Sequence, residues 1–232
     1  MQRSPEKSEF GVILVDPPWS YNRTSSSEKL SGYCDKEYEL LTTQDLMSLP
    51  VADLGDDSSV LLLWCTWPFL PDGLKLIERW GFSFVTGMTW IKTTQNITAL
   101  AYGVGYWFRG ATELILVGKR QKAYRTNWLG LGQSQLPDGL VSPRLDHSRK
   151  PDSIYEVAES FPGPYLELFA REQRSGWYSL GNECPNDGQD IRQSLPGLVN
   201  TGVGWEKHYL APIVSISHVE EDWDDDLPYM AI

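Results

Sequence analysis

Phe10-Gly11-Val12-Ile13-Leu14-Val15 is an apolar run that stops at Asp16-Pro17-Pro18-Trp19, and this ten-residue stretch sets the fold. A short, nearly continuous apolar run reads as a strand buried on both faces, and two prolines end it because neither can donate to a sheet. In an open α/β sheet, ligands bind beyond the carboxyl ends of strands, so the loop opening at Asp16 lies where chemistry belongs. The segments that follow alternate in kind. Thr42-Thr43-Gln44-Asp45 has the form of a capping box opening a short helix through Leu49. Ser59–Trp64 is an apolar strand; Leu74, Ile77 and Trp80 have helical spacing before Gly81, which suits a C-cap. Phe82–Ile91, Glu113–Val117, Tyr165–Ala170 and Gly176–Leu180 read as further strands, and Pro151–Ser160 as a helix with proline in its first turn. Ser25-Ser26-Ser27 and its surroundings up to Lys36 read as a mobile polar loop, and Lys119–Ser142 as a long loop without a period. Strands alternating with helices predict an α/β fold with a mainly parallel sheet and helices on both faces. The predicted division is one domain over residues 1–184, with residues 185–232 as an appendage that carries an acidic run.

Bulk properties narrow the classes. At 232 residues the chain can bury one sizeable core, and no stretch approaches the roughly 20 apolar residues of a membrane span. The N-terminus lacks the apolar core of a signal peptide, so the expected location is the cytoplasm, that of a host for a phage protein, or the nucleus in a eukaryote. Cys34, Cys65 and Cys184 form no CxxC pair, and His147, His208 and His218 are scattered; neither a disulfide framework nor a metal site is expected. The net charge of −11 is unevenly spread, since Glu220, Glu221, Asp222, Asp224, Asp225 and Asp226 supply over half of it. Lys119, Arg120, Lys122 and Arg125, then Arg144, Arg149 and Lys150, leave room for a basic face, although charge runs are more often simply solvated.

Asp16-Pro17-Pro18-Trp19 suits one chemical problem. The exocyclic amine of adenine is a poor nucleophile because its lone pair is delocalised into the ring. A carboxylate (Asp16) and a backbone carbonyl (Pro17) accepting the two amine protons favour a more tetrahedral nitrogen. Consecutive prolines hold that carbonyl rigidly, which is electrostatic preorganisation. Trp19 offers a π face for an extruded base. The plain alternative is a proline turn beside a core tryptophan.

With that loop stand Leu61-Leu62-Leu63-Trp64, Trp80-Gly81-Phe82, Trp90-Ile91-Lys92, Gly105-Tyr106-Trp107-Phe108-Arg109, Glu113, His147-Ser148-Arg149-Lys150-Pro151-Asp152, Glu167-Leu168-Phe169-Ala170-Arg171, Gly176-Trp177 and Gly181-Asn182. In this collinear order the chain resembles the DPPW-type family of N6-adenine methyltransferases, relatives of the mRNA adenosine methyltransferase catalytic subunit, and within it the compact bacterial and phage-like branch. The likeness runs from about Val12 to Glu183. It implies a Rossmann-like S-adenosylmethionine-dependent methyltransferase fold in the permuted, β-class motif order, with the catalytic strand early and the cofactor strand late. It also implies transfer of a methyl group from S-adenosylmethionine to adenine, with S-adenosylhomocysteine as product and no metal. Asp16, Pro17, Pro18 and Trp19 are then the catalytic loop. Cofactor contacts fall on Asp16, Ser148, Lys150 (methionine carboxylate), Leu168, Phe169, Arg171 (ribose), Gln173, Arg174, Asn182 and Glu183. Tyr21, Tyr38, Lys92, Lys119, Arg120 and Lys122 are the substrate-side candidates, the last three as phosphate contacts.

Plainer roles stand beside these. Trp64, Trp80 and Trp90 read as core, Glu167 and Arg171 as a structural ion pair, and His147 as a loop residue; Glu113, a charge following an apolar strand, needs a basic partner near the pocket. The segment after Arg171 is shorter than in the large eukaryotic enzymes, and only a short leader precedes the first strand. The partner class is nucleic acid, DNA favoured over RNA, with a homo- or heterodimer allowed and no membrane. The rival readings are a catalytically silent nucleic-acid-binding or scaffold subunit of a heteromer, and amino-methylation of cytosine or a protein amide.

Overall fold

The computed structural model describes residues 10–20, 40–105, 107–123, 136–145, 149–202 and 204–211. Seven strands are present: β1 (Phe10–Val15), β2 (Gly55–Cys65), β3 (Ser83–Thr93), β4 (Thr112–Lys119), β5 (Gly139–Pro143), β6 (Tyr165–Leu168) and β7 (Trp177–Leu180). The helices are α1 (Thr43–Ser48), α2 (Leu70–Arg79), α3 (Ser153–Glu159) and α4 (Ile191–Thr201).

The strands make one sheet in the order β5-β3-β4-β2-β1-β6-β7. β1 pairs in parallel with β2 and β6, β6 with β7, and β3 with β5; β4 alone is antiparallel to both its neighbours. Six strands therefore point one way, and the start of β4 joins their carboxyl ends on a common rim. Asp16, Thr66, Glu113, Arg144, Phe169 and Gly181 follow or open strands on that rim.

Apolar side chains leave the sheet on both faces. Ile13 and Val15 of β1 join Leu61, Leu63 and Cys65 of β2 in a core that α1, α2 and α4 cover. Val12 and Leu14 face the other way, with Leu62, Trp64, Trp90 and Ile115, under α3. Phe10 would alternate onto the second face, but a register shift between Phe10 and Val12 turns it into the first core. Burying each such side chain contributes roughly 1.5–3 kcal/mol, so the central strand is held from both sides.

Local signals act as read. The Thr42 side chain accepts from the Asp45 N–H and the Asp45 carboxylate accepts in return, so the capping box is complete and α1 starts there. Gly81, at φ 77, ends the α2 segment in a conformation open to glycine. Two elements depart from expectation. The long loop after Lys119 contains β5, which pairs with β3 although it has too few apolar residues to show a period. Helix α3 starts after Asp152, so Pro151 precedes the helix instead of occupying its first turn. Beyond residue 185, α4 is capped by Asp190 and buries Ile191, Leu195 and Leu198, while Trp205 packs on Phe10 and Tyr178. This part of the predicted appendage shares the main core. The serine loop and the acidic run lie outside the described residues.

Candidate active site

The end of β1 is clamped on several sides. The Asp16 N–H donates to the Leu168 carbonyl at 3.4 Å, tying the loop to β6. The Leu41 N–H donates to Pro18 at 2.9 Å, and the Ser20 N–H to Leu41 at 3.1 Å, so both ends of the 21–39 connection meet beside the prolines. Trp19 is 7 % exposed; its indole N–H donates to the Trp64 carbonyl at 3.2 Å and its ring stacks on Phe69 at 4.8 Å. This corrects the expected open π face: Trp19 anchors the loop from within the core. The Pro17 carbonyl accepts the Trp19 N–H at 2.9 Å, and a carbonyl oxygen keeps a second lone pair for another donor.

Asp16 opens onto a cavity of about 610 Å³ on the α3 side of the sheet. Leu14, Trp64, Ile154 and Phe169 give it apolar wall, and Lys150, Glu167, Arg171 and Glu183 line it with charge. Its volume suits a nucleoside-sized ligand. Lys150 Nζ lies 3.0 Å from Asp16 Oδ1 and 3.2 Å from Glu113 Oε2, and Lys92 pairs with the other oxygen of Glu113. Burial acts against the Lys150 charge, but Asp16 and Glu113 outweigh it and push its pKa up to about 12. Burial would likewise raise Glu113; Lys150 and Lys92 together hold it below the ordinary carboxylate value. Glu113 thus has the basic partners its sequence position called for.

Glu167, in mid-β6, is different. Its two oxygens accept the Tyr155 hydroxyl at 3.0 and 3.1 Å, yet burial, with Asp16 adding repulsion, pushes its pKa up to about 7. Beyond the ion-pair role its place in the sequence suggests, Glu167 lines the cavity. A carboxylate alternating with Leu166 and Leu168 was the available sign that it faces away from the aliphatic core.

Other expected cofactor residues divide. Phe169, at φ 65, and Arg171 line the cavity, and Arg171 Nε is 4.0 Å from Glu183. Leu168 is fully buried, and its carbonyl is what reaches the loop. Asn182 is exposed beside Glu183. Two expectations are redirected: Gln173 donates to the Lys207 carbonyl at 3.4 Å and accepts from Asn186, while Arg174 packs 3.6 Å from the Tyr155 ring centre and pairs with Asp152 at 2.9 Å. Both turn to protein partners because the short segment after Arg171 folds back on α3 and the C-terminal part. Ser148, His147, Tyr21 and Tyr38 lie outside the described residues.

The substrate-side cations also divide. Lys92 reaches Lys150 through Glu113 without itself lining the cavity. Lys119, Arg120 and Lys122 lie toward the opposite end of the sheet, because β4 runs antiparallel and Lys119 pairs with Val60 in mid-β2 and with Ser83 at the start of β3. Arg120 donates to the carbonyls of Ala52 and Trp80, and Lys122 pairs with Asp57 at 2.8 Å. A strand's length separates them from Asp16, so the structure does not bring these expected phosphate contacts to the cavity.

Trp64, Trp80 and Trp90 are buried as core residues, although Trp64 also backs the cavity. Cys65 and Cys184 are buried and free, and burial pushes the Cys65 thiol up to about 12. Among the described residues, no group of three or more His, Cys, Asp or Glu is disposed to hold a metal ion, and no helix is long and apolar enough to cross a membrane.

The sequence profile of the MT-A70 family matches residues 10–183, from the first residue of β1 to the cavity residue Glu183. The chain belongs to the MT-A70 family. Its sheet is accordingly the Rossmann-like methyltransferase fold, with the early strand β1 beside the late strand β6. Among MT-A70 relatives, it is 30 % identical over 180 residues to the human N(6)-adenosine-methyltransferase catalytic subunit METTL3, covering 75 % of this chain and 28 % of that protein. Similarity to a putative N(6)-adenosine-methyltransferase MT-A70-like protein of Medicago truncatula is also 30 %, over 75 % of this chain and 26 % of the relative. The type II methyltransferase M.MunI of Mycoplasma sp is 27 % identical, over 80 % of this chain and 82 % of that enzyme. The chain thus spans about a quarter of the length of the plant and human MT-A70 relatives, and most of the length of the compact one.

Proposed function

We propose that this protein transfers a methyl group from S-adenosylmethionine to the exocyclic amine of adenine in nucleic acid, DNA favoured over RNA, giving N6-methyladenine. The observation that carries the reading is the position of Asp16: a proline-stiffened carboxylate at the end of β1, on the wall of a nucleoside-sized cavity and paired with Lys150. Relatives named N(6)-adenosine-methyltransferases support adenine as the target, and the near end-to-end match to a type II methyltransferase supports DNA.

The residues present fit the donor. Lys150 and Asp16 offer one positive and one negative charge to an amino-acid end that carries one of each. Phe169 and Leu14 supply apolar wall, and Arg171 with Glu183 supplies a donor and an acceptor for ribose hydroxyls. When bound, the donor supplies a methyl group made electrophilic by its sulfonium. The protein holds the acceptor. Asp16 and the Pro17 carbonyl accept the two amine protons and turn the nitrogen lone pair out of the ring; Trp19, locked on Phe69, keeps that carbonyl in place. The proton surrendered by the amine leaves through the Asp16 carboxylate. Holding both partners in one cavity supplies much of the rate.

Labelled S-adenosylmethionine, incubated with the protein and matched single-stranded DNA, duplex DNA or RNA, should deposit label in N6-methyladenine after digestion to nucleosides, most of it from DNA. Asp16→Ala should lose turnover by at least about 10³-fold with its fold intact. Methylation retained by a folded Asp16→Ala protein overturns the assignment. A silent scaffold subunit would bind no S-adenosylhomocysteine.

A further inference from the structure

Four charged side chains from four parts of the chain meet at the rim of the sheet: Asp16 after β1, Lys92 in β3, Glu113 in β4 and Lys150 before α3. Their charges alternate in space in the order Lys92, Glu113, Lys150, Asp16, and they sum to zero. The four side chains are only 12–19 % exposed, so the pairs are held where solvent screens them weakly. Lys92 also lies 4.8 Å from the Trp90 ring centre and Lys150 5.3 Å from that of Trp64, so tryptophan faces fix both stems.

We propose that Glu113 and Lys92 are positioning residues for the transfer: Glu113 fixes the Lys150 ammonium at the cavity wall, and Lys92 fixes Glu113 and balances its charge. This rests on the reading that Lys150 and Asp16 receive the charged end of the donor. A lysine is a point charge on a flexible stem, and one facing Asp16 alone would close onto it. Glu113, a second carboxylate 3.2 Å from the same ammonium, draws it toward β4. A ligand end with one carboxylate and one ammonium can then enter between Lys150 and Asp16 without leaving a buried charge uncompensated. Asp16 keeps an oxygen for the adenine amine. Lys92 acts at one remove. Without it, Glu113 would carry a buried charge balanced only by Lys150 and would compete with the ligand carboxylate for that ammonium. On this basis Lys92 is not a direct nucleic-acid contact.

The test uses the full chain and S-adenosylhomocysteine as probe, titrated calorimetrically, with methyl transfer measured alongside. Glu113→Gln and Lys92→Met should each raise the dissociation constant at least tenfold and lower kcat, leaving KM for the nucleic acid within twofold. Lys92→Arg should restore binding to within threefold of wild type. The double variant Lys92→Met/Glu113→Gln should bind no worse than Glu113→Gln alone, because Lys92 acts only through Glu113. If Glu113→Gln fails to fold, Glu113→Asp, which keeps the charge but draws it back by one methylene, should still weaken binding several-fold. Wild-type affinity in both single variants overturns the proposal, as do losses that multiply in the double variant. A lowered unfolding midpoint with an unchanged dissociation constant also overturns it, since that is what a purely structural pair would show. A wild-type chain that binds no S-adenosylhomocysteine brings down the methyltransferase reading as well; wild-type binding with indifferent variants brings down this proposal alone.

Discussion

Glu167 is a carboxyl group placed where water is scarce and Asp16 is a near neighbour. Its pKa of about 7 in the folded chain lies above the ordinary value of 4.5 that it regains on unfolding. The folded protein therefore binds more protons than the unfolded chain between those values, and this group costs stability as pH rises through them. Glu167→Gln removes that loss. Its denaturation free energy relative to wild type should climb by about 3 kcal/mol from pH 4.5 to 7 and stay nearly level above. His208 works in the opposite direction. It is fully buried, and burial, with Lys207 adding repulsion, pushes its pKa down to about 4. Its contribution is complete above its unfolded value of 6.5 and is lost as pH falls toward 4. The two slopes offset each other in the wild-type curve, so the difference between variant and wild type is the diagnostic quantity. A Glu167→Gln difference that does not change with pH would show that folding leaves the carboxyl at its ordinary pKa.

β6 and the residues just after it carry one wall of the cavity, and the end of the β6–β7 pair is set by one close approach. The Ala170 N–H donates to the Leu180 carbonyl at 2.8 Å, and a Cβ on Gly181 would stand 2.1 Å from the Ala170 carbonyl oxygen. Both are backbone contacts, so no side chain can swing aside to make room. Gly181→Ala must push the two strand ends apart, which moves Phe169 and Arg171 on one side and Glu183 on the other. The expected cost is about 2–3 kcal/mol in thermal or chemical unfolding, with a loss of S-adenosylhomocysteine affinity in the folded fraction. Unchanged binding would mean that these strand ends do not shape the ligand site.

The molecule as a whole is closed at the β6–β7 edge by the C-terminal segment. Trp205 is 1 % exposed, packs on Phe10 and Tyr178, and donates to the Leu198 carbonyl at 3.2 Å. Trp205→Ala should cost about 3–5 kcal/mol. Truncation after Cys184 should cost more, because it also strips Ile191, Leu195 and Leu198 from the same face. Loss of a cooperative unfolding transition in the truncated chain is the expected result; a truncated chain as stable as the full one would make the segment dispensable to the core.

Much of this was readable from neighbouring residues. A strand that stops at two prolines, the Thr42–Asp45 cap and the Gly81 stop are local events, dictated by apolar periodicity and by missing or supplied hydrogen bonds, and they stand where the residues place them. The acid after β1, Lys150 before a helix, and a partner demanded by Glu113 could be read in the same way, because each is odd for its surroundings. The rest depended on distant parts of the chain meeting. Nothing near Lys119 reveals that β4 runs backwards, yet that reversal puts Glu113 on the same rim as Asp16 and Lys119 at the other end of one strand. The turning of Trp19 onto Phe69, the burial of Trp205 against Phe10, and the linking of Lys92 to Lys150 through Glu113 are contacts between segments far apart in sequence. Backbone preference acts over a few residues, whereas strand direction, face and charge partner are chosen by packing the whole sheet. Short-range physics therefore shaped the pieces, and long-range closure determined which of their side chains share the cavity.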